Sequence, residues 1–399
     1  MNKNLARSRT AAISMRCRTA AVSMRCRTAA ISIRCRMAAI FSTAAVSLCL
    51  STSAHAQTSP PVTPLKIAFV YVSPIGNAGW THQHDLGRIA MQQALGDKVK
   101  TTVVESVGEG ADSERVMRDL AQQGHQLIFA TSFGYLEPAL RVAAEFPAVK
   151  FEHVGGYKTA ANLNTYNARY YEARYLAGML AGATSRSGTA GYVAGFPVPE
   201  VIQGINAFTL GMRAVNPKAQ VKVLWLSTWF DPAREREAAQ TLINQGADVL
   251  TNHSGSTAVA QTAEDNFKAV STRVVSYQSD MRAVAPNAQL TAIVHQWGGY
   301  YTSVAKAVLS GTWKPQPVWG SMKQGFVALS PLAASVPKDV AALVNTKRAA
   351  IEAGSFAPFS GRLIDAEGTV RLSHGAMDDA AIGTMNWFVQ GVVGSVPKP

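Results

Sequence analysis

From Leu65 onward the chain alternates short apolar runs, rich in β-branched residues, with longer stretches whose apolar positions recur at helical spacing. "LKIAFVYV" (from Leu65), "VKTTVVESV" (Val99), "QLIFAT" (Gln126) and "KFEHVGG" (Lys150) predict four strands. "TAGYVAG" (Thr189), "VKVLWLS" (Val221), "DVLTNH" (Asp248) and "RVVSYQ" (Arg273) predict four more at similar intervals. Strands alternating with helices argue for parallel sheets of βα units. The two series also share local sequence: "QGHQLIFATSFG" (Gln123 to Gly134) lines up with "QGADVLTNHSGS" (Gln245 to Ser256) at an offset of 122.

The expected fold is therefore α/β, two Rossmann-like lobes with parallel sheets joined by a hinge and facing each other across a cleft. Residues 65–166 make the first lobe, with later segments returning to it around 290–325, and residues 167–290 make the second. The helix "YYEARYLAGMLAGATS" (Tyr170 to Ser185) passes between lobes, with Ala177, Gly178, Ala181 and Gly182 suited to close packing. "LTAIVHQWGGYY" (Leu290) adds a strand and a helix start. The tail, 326–399, carries a hairpin at "GRLIDAEGTVRL" (Gly361 to Leu372) and a closing helix.

Charge changes the picture at one end only. The formal net charge of +13 suggests a nucleic-acid or anionic-lipid partner. Yet Lys3 and eight Arg precede Gln57 with no Asp or Glu among them, so the excess falls to +4 beyond it. The nine-residue repeat "RCRTAAVSM" (Arg16 to Met24), echoed from Arg7, Arg25 and Arg34, reads as an expanded basic leader or as sequence upstream of a start at Met37. "MAAIFSTAAVSLCL" and the small-residue site "AHA" (Ala54 to Ala56) then read as a secretory signal, residues 1–56, cut before Gln57. The apolar part is too short to span a bilayer. All four cysteines (Cys17, Cys26, Cys35, Cys49) lie in that segment, so an exported chain forms no disulfide and no thiolate metal site. Lipid attachment at Cys49 is the weaker reading, because Leu48 stands where a lipoprotein signal wants a small residue.

No helix-turn-helix, P-loop, GxSxG or HExxH pattern is present. Ligands of open parallel sheets bind beyond the carboxyl ends of the strands, where loops converge and helix N-termini point inward. Those loops here are "GNAGWTHQHD", "SFGYLEP", "GGYK", "GFPVPE", "TWFDPARE", "NHSGS", "YQSDM" and "HQWGGYY". They are rich in aromatics, and they point to a planar heterocycle held by stacking, worth about 1–3 kcal/mol per base, and oriented by polar edges. Trp80 and Trp297 are the leading stackers, each flanked by Gly just after a strand. Trp229, Phe133, Gly134, Tyr157 and Phe196 are further candidates.

Asp231 in "WFDPARE" reads equally as the N-cap of a helix with Pro232 at its first position. Asp280 is a candidate acceptor for a base amine, with Gln278 beside it. His253, at a strand end, is expected to be a pocket donor or acceptor. His82, His84 and Asp85 invite a metal or acid–base reading, but His82 and His84 lie about 200° apart on a helix and cannot chelate one ion. No metal, cofactor or catalytic residue is expected.

The motifs "GNAGWT", "AQQGHQLIFATSFGY", "FPAVKFEHVGGY", "EARYLAGMLAG", "GYVAGFPVPEVIQGINAFTLGMRAVNP", "LINQGADVL" and "YQSDM", in this order over roughly Leu65 to Gly391, resemble the basic membrane protein family of ABC-transporter substrate-binding proteins. The resemblance implies a type I periplasmic-binding fold, a purine nucleoside or nucleobase as ligand, an ABC permease in the inner membrane as partner, and a periplasmic monomer without enzymatic activity. It carries an aromatic stacker onto Trp80 and a ligand loop onto Ser132, Phe133 and Gly134. The chain departs from the family at three places: Gly155 and Gln278 stand where acids are common, and His295 where a Lys is common. These departures weigh against a nucleoside, and the "GWT", "WFDP" and "QSDM" loops resemble a branch that implies a free, adenine-like base. The rival reading is a hydrolase acting on a nucleoside through His82, Asp85 or His253; another is a surface-attached sensor or adhesin anchored through Cys49.

Overall fold

A computed structural model describes residues 63–397. The leader 1–56, the cleavage site and Cys49 lie outside the described residues. The first half runs β1 (Leu65–Val70), α1 (Trp80–Leu95), β2 (Val99–Val104), α2 (Ala111–Gln122), β3 (Leu127–Ala130), α3 (Leu136–Glu145), β4 (Lys150–Val154) and β5 (Leu163–Ala168). Helix α4 (Tyr170–Thr184) leads to β6 (Thr189–Ala194), α5 (Pro199–Val215), β7 (Gln220–Trp225), α6 (Pro232–Asn244), β8 (Val249–His253), α7 (Ala258–Val270), β9 (Arg273–Gln278) and β10 (Gln289–His295). After these come α8 (Gly298–Leu309), β11 (Val318–Gly320), β12 (Val327–Leu329), α9 (Lys338–Ala353), the hairpin β13 (Leu363–Ile364) and β14 (Val370–Leu372), α10 (Asp379–Gly383) and β15 (Val392–Val393).

Besides the two-stranded β13-β14 hairpin, two large sheets result, ordered β11-β5-β4-β3-β1-β2 and β12-β10-β9-β8-β6-β7-β15. Pairing within these two is parallel except between β10 and β12. Strands such as β3 and β8 are buried along their whole length, as sheets covered on both faces require. This is the two-lobed architecture of periplasmic binding proteins.

The chain crosses between sheets three times: from β5 to β6, from β10 through α8 to β11, and from β11 to β12. Strand β10, expected to return to the first lobe, pairs instead with β9 of the second, Gln289 opposite Val274. Only ten residues separate β9 from β10, and an apolar strand emerging there meets the open edge of β9 first. The return starts one element later: α8 packs against α1, and β11 joins β5. Helix α4 lies along α5. A Cβ on Gly178 would come 2.0 Å from the Phe208 carbonyl oxygen, and one on Gly211 would come 1.9 Å from that of Tyr175. The backbones touch, so only hydrogen fits there.

Candidate functional site

A narrow pocket, with about 40 Å³ of space for water-sized molecules as the lobes stand, lies between the carboxyl ends of the two sheets. The first lobe contributes Val72, Ser73, Trp80, Ser132, Phe133, Val154 and Gly155, from beyond β1, β3 and β4. The second contributes Glu200, Trp229, Phe230, His253, Ser254, Gly255 and Gln278, from beyond β6, β7, β8 and β9. Four aromatic rings, two per lobe, therefore border a space with polar groups at the strand ends.

Trp80 is fixed by its own edge: its indole Nε1 donates to the Thr131 carbonyl at 2.7 Å, leaving the ring as wall. Phe133 opens the short turn after β3, where Ser132 Oγ and the Gly134 amide both reach Glu109 Oε1, at 2.6 and 2.9 Å. On the other side Glu235, buried in the first turn of α6, accepts from Ser254 Oγ at 2.8 Å and Ser256 Oγ at 2.7 Å. It also accepts from the Asp231 amide at 3.3 Å, so one carboxyl group ties the Ser254–Gly255 wall to the loop carrying Trp229 and Phe230. Burial raises the pKa of Glu235.

Glu200 follows Pro199 in the first turn of α5. It accepts from Asn167 Nδ2 of the first lobe at 2.7 Å, and its Oε1 lies 3.3 Å from His253 Nε2. Burial lowers the His253 pKa, with the nearby Arg174 acting the same way and Glu200 opposing it. A neutral ring facing a carboxylate places its one proton on Nε2. Its Nδ1, and Oε1 of Gln278, are buried without a partner. Gln278 adopts φ +72°, a region costly for a residue with a Cβ.

The lobes meet tightly beside the cavity. Gly79, at φ +100°, caps α1, and a Cβ there would stand 2.0 Å from the Gly255 carbonyl oxygen across the cleft. Ser279 Oγ receives the Gly79 amide at 3.0 Å and lies 3.0 Å from Gln83 Oε1, while Gln83 Nε2 donates to the His295 carbonyl at 2.7 Å. These bonds join first-lobe and second-lobe residues in a closed arrangement.

Of the sequence-derived candidates, Trp80, Phe133, Trp229, His253 and Gln278 border the cavity, and six do not. Trp297 is 1 % exposed. It stacks on His84, 5.0 Å between centres and 6° between planes, because α8 docks on α1 and turns the indole inward. Its expected role as a stacker is corrected to packing. Tyr157 is 68 % exposed, beyond the cavity but 6.3 Å from the Phe133 ring. Phe196 meets Trp229 edge-on at 4.9 Å and borders an adjoining groove with Glu109, Phe133, Val198 and Asn386. Gly134 serves the Glu109 contact. Asp231 caps α6, accepting from the Ala233 and Arg234 amides, which is the capping role its position before Pro232 predicts. Asp280 is exposed and accepts from the Arg282 amide and Gln289 Nε2, a turn role that uses up its Oδ1.

Sequence reasoning missed Glu200, Ser254 and Gly255, and gave Phe230 no role. An acid in the first turn of a helix after Pro reads as dipole compensation, and nothing local shows that β5 delivers Asn167 to it. Of the residues a hydrolase would use, only His253 borders the cavity. His82 Nδ1 lies 3.1 Å from the Gly76 carbonyl, and Asp85 is paired with Arg88 at 2.6 Å. Among the described residues no cluster of His, Asp and Glu could hold a metal ion.

Comparison with known proteins fits this geometry. Residues 65–353 match a family model described as ABC transporter substrate-binding protein, PnrA-like. A purine-binding protein of Brucella abortus (strain 2308) is 47 % identical over 350 residues, covering 88 % of this chain and 97 % of its own. A Haloferax volcanii protein named as a candidate ABC transporter glucose-binding protein is 36 % identical, covering 83 % of this chain and 81 % of its own. An ABC transporter solute-binding protein from Aeropyrum pernix K1 superposes with TM-score 0.64 at 19 % identity, covering 74 % of this chain and 93 % of its own, a likeness of fold. The chain belongs to the basic membrane protein family of ABC transporter substrate-binding proteins.

Proposed function

We propose that this protein captures a free purine base, adenine-like, between its lobes and presents it to an ABC permease. The observation that carries this reading is the inter-lobe pocket bordered by Trp80 and Phe133 from one lobe and Trp229 and Phe230 from the other. Aromatic faces hold a flat ring whatever its substituents. The amide of Gln278 supplies a donor and an acceptor side by side, the pair that complements the amine and ring nitrogen on the edge of adenine. The purine-binding name of the 47 % identical relative supports the same class.

Export through the leader, with release before Gln57, places such a receptor in the periplasm. No described helix is long and apolar enough to cross a membrane. The protein acts as a monomer that binds without altering its ligand.

The groove shared by Phe133 and Trp229 favours one second reading, a nucleoside whose sugar lies outside the base cavity. Calorimetric titration with adenine, adenosine and glucose, together with mass spectrometry of any co-purifying molecule, separates these. Adenine binding at least about tenfold tighter than adenosine is expected. Tighter binding of adenosine moves the assignment to nucleosides, glucose binding moves it to sugars, and adenine released from adenosine makes the protein a hydrolase. The mass of the exported protein tests release before Gln57 against anchoring at Cys49.

A further inference from the structure

The charge inside the cleft is uncompensated. Glu200 has no Lys or Arg within ion-pair distance among the described residues; its partners are Asn167 and His253. The nearby cation, Arg174, is directed elsewhere: its guanidinium lies 3.7 Å from the centre of the Tyr277 ring and donates to Thr251 Oγ1 and the Asn252 carbonyl. A carboxylate accepts at about four lone-pair sites, and the protein fills two of them. On two other residues that line the pocket, each 3 % exposed, His253 Nδ1 and Gln278 Oε1 are buried with no donor. Leaving such acceptors without partners is costly, and a ligand rich in N–H groups removes that cost.

We infer that Glu200 is the residue that reads the ligand, and that its open acceptor sites select a 6-aminopurine over 6-oxopurines, which offer a carbonyl oxygen at the same position. This rests on the purine-receptor reading and refines it. A carbonyl oxygen facing the Glu200 carboxylate sets two acceptors against each other, whereas an exocyclic amine donates to it. Asn167 gives the device a second consequence: because it is a first-lobe residue holding Glu200 from across the cleft, the reading acid is in place only when the lobes are closed.

The test is calorimetric titration of the exported protein with adenine, guanine, hypoxanthine and xanthine, before and after Glu200→Gln. The wild type is expected to bind adenine, whose amine replaces the C6 carbonyl oxygen of the other three, at least about tenfold tighter than it binds them, a charged hydrogen bond accounting for this much. Glu200→Gln keeps the shape but exchanges one acceptor for a donor. It should lower adenine affinity at least about tenfold and bind hypoxanthine no more weakly than the wild type does. If the variant fails to fold, Glu200→Ala, which removes the acceptor without adding a donor, carries the same expectation for adenine. Wild-type purine binding without preference for adenine, or adenine affinity unchanged in the variant, overturns the role of Glu200 while the receptor reading stands. A wild type that binds none of the four overturns both.

Discussion

The indole of Trp297 stands edge-on to that of Trp80, 6.5 Å between ring centres and 71° between planes. Trp80 borders the cavity, and Trp297 is buried behind it against His84 and Tyr166. Trp80→Ala should lower ligand affinity at least about tenfold and leave the fold largely intact. Trp297→Ala should destabilise the protein by about 3–5 kcal/mol through the cavity it leaves. Calorimetric titration and thermal unfolding separate the two; loss of affinity for Trp297→Ala at unchanged stability would restore it as a ligand contact.

Gly79 and Gly255 meet backbone to backbone across the cleft, at a point where a methyl group does not fit. Gly79→Ala should hold the lobes apart, weakening binding about a hundredfold or more while each lobe stays folded. Small-angle scattering with saturating ligand checks this: the wild type should be compact and the variant should keep a larger radius of gyration. Equal radii would remove the proposed block to closure.

Gln278 combines a strained backbone with a buried acceptor that has no partner. Gln278→Gly should lose affinity yet unfold at an equal or higher temperature, since glycine adopts φ +72° without penalty and the strain is about 1–2 kcal/mol. Gln278→Ala should lose affinity and keep the strain. A glycine variant markedly less stable than the alanine variant would show that the backbone carries no strain there.

Burial holds His84 at about 3 and His153 at about 4, and it lowers His253 and His295 as well. Groups whose folded pKa lies below the unfolded value contribute stability that is present above about pH 6.5 and lost as pH falls. Glu152, buried beneath Tyr300 and Trp313, is raised to about 7 and acts oppositely, its contribution being full below 4.5 and lost as pH rises through 7. Glu172 and Glu235, raised by burial, act as Glu152 does; between pH 6.5 and 4.5 four histidines outweigh these three carboxyl groups, so the unfolding free energy should fall, by less than about 4 kcal/mol per pH unit. Denaturant titrations across that window check this. A flat profile would mean these histidines are hydrated or paired in the folded state.

The parallel strands, the duplicated halves and the close-packed glycines of the inter-lobe helix were legible because each leaves a local trace. Periodicity marks Leu127–Ala130 and Val249–His253, turn residues mark Asp231 and Pro232, and small residues at helical spacing mark Gly178 and Gly182. Trp80 and Trp297 looked alike in sequence, each following a strand and flanked by glycine. They differ because α8, although it follows a second-lobe strand, packs back on α1 of the first lobe, a choice made by long-range burial.

The sequence by itself determined the α/β class, the repeat of two halves and the loops in which ligand groups had to lie, since these follow from side-chain period and turn chemistry over a dozen residues. The tertiary structure alone decided which loop residues meet. Asn167 and Glu200 come together, as do Gly79 and Gly255, only because three crossings bring the carboxyl ends of two sheets face to face, and local pattern does not encode contacts across that gap.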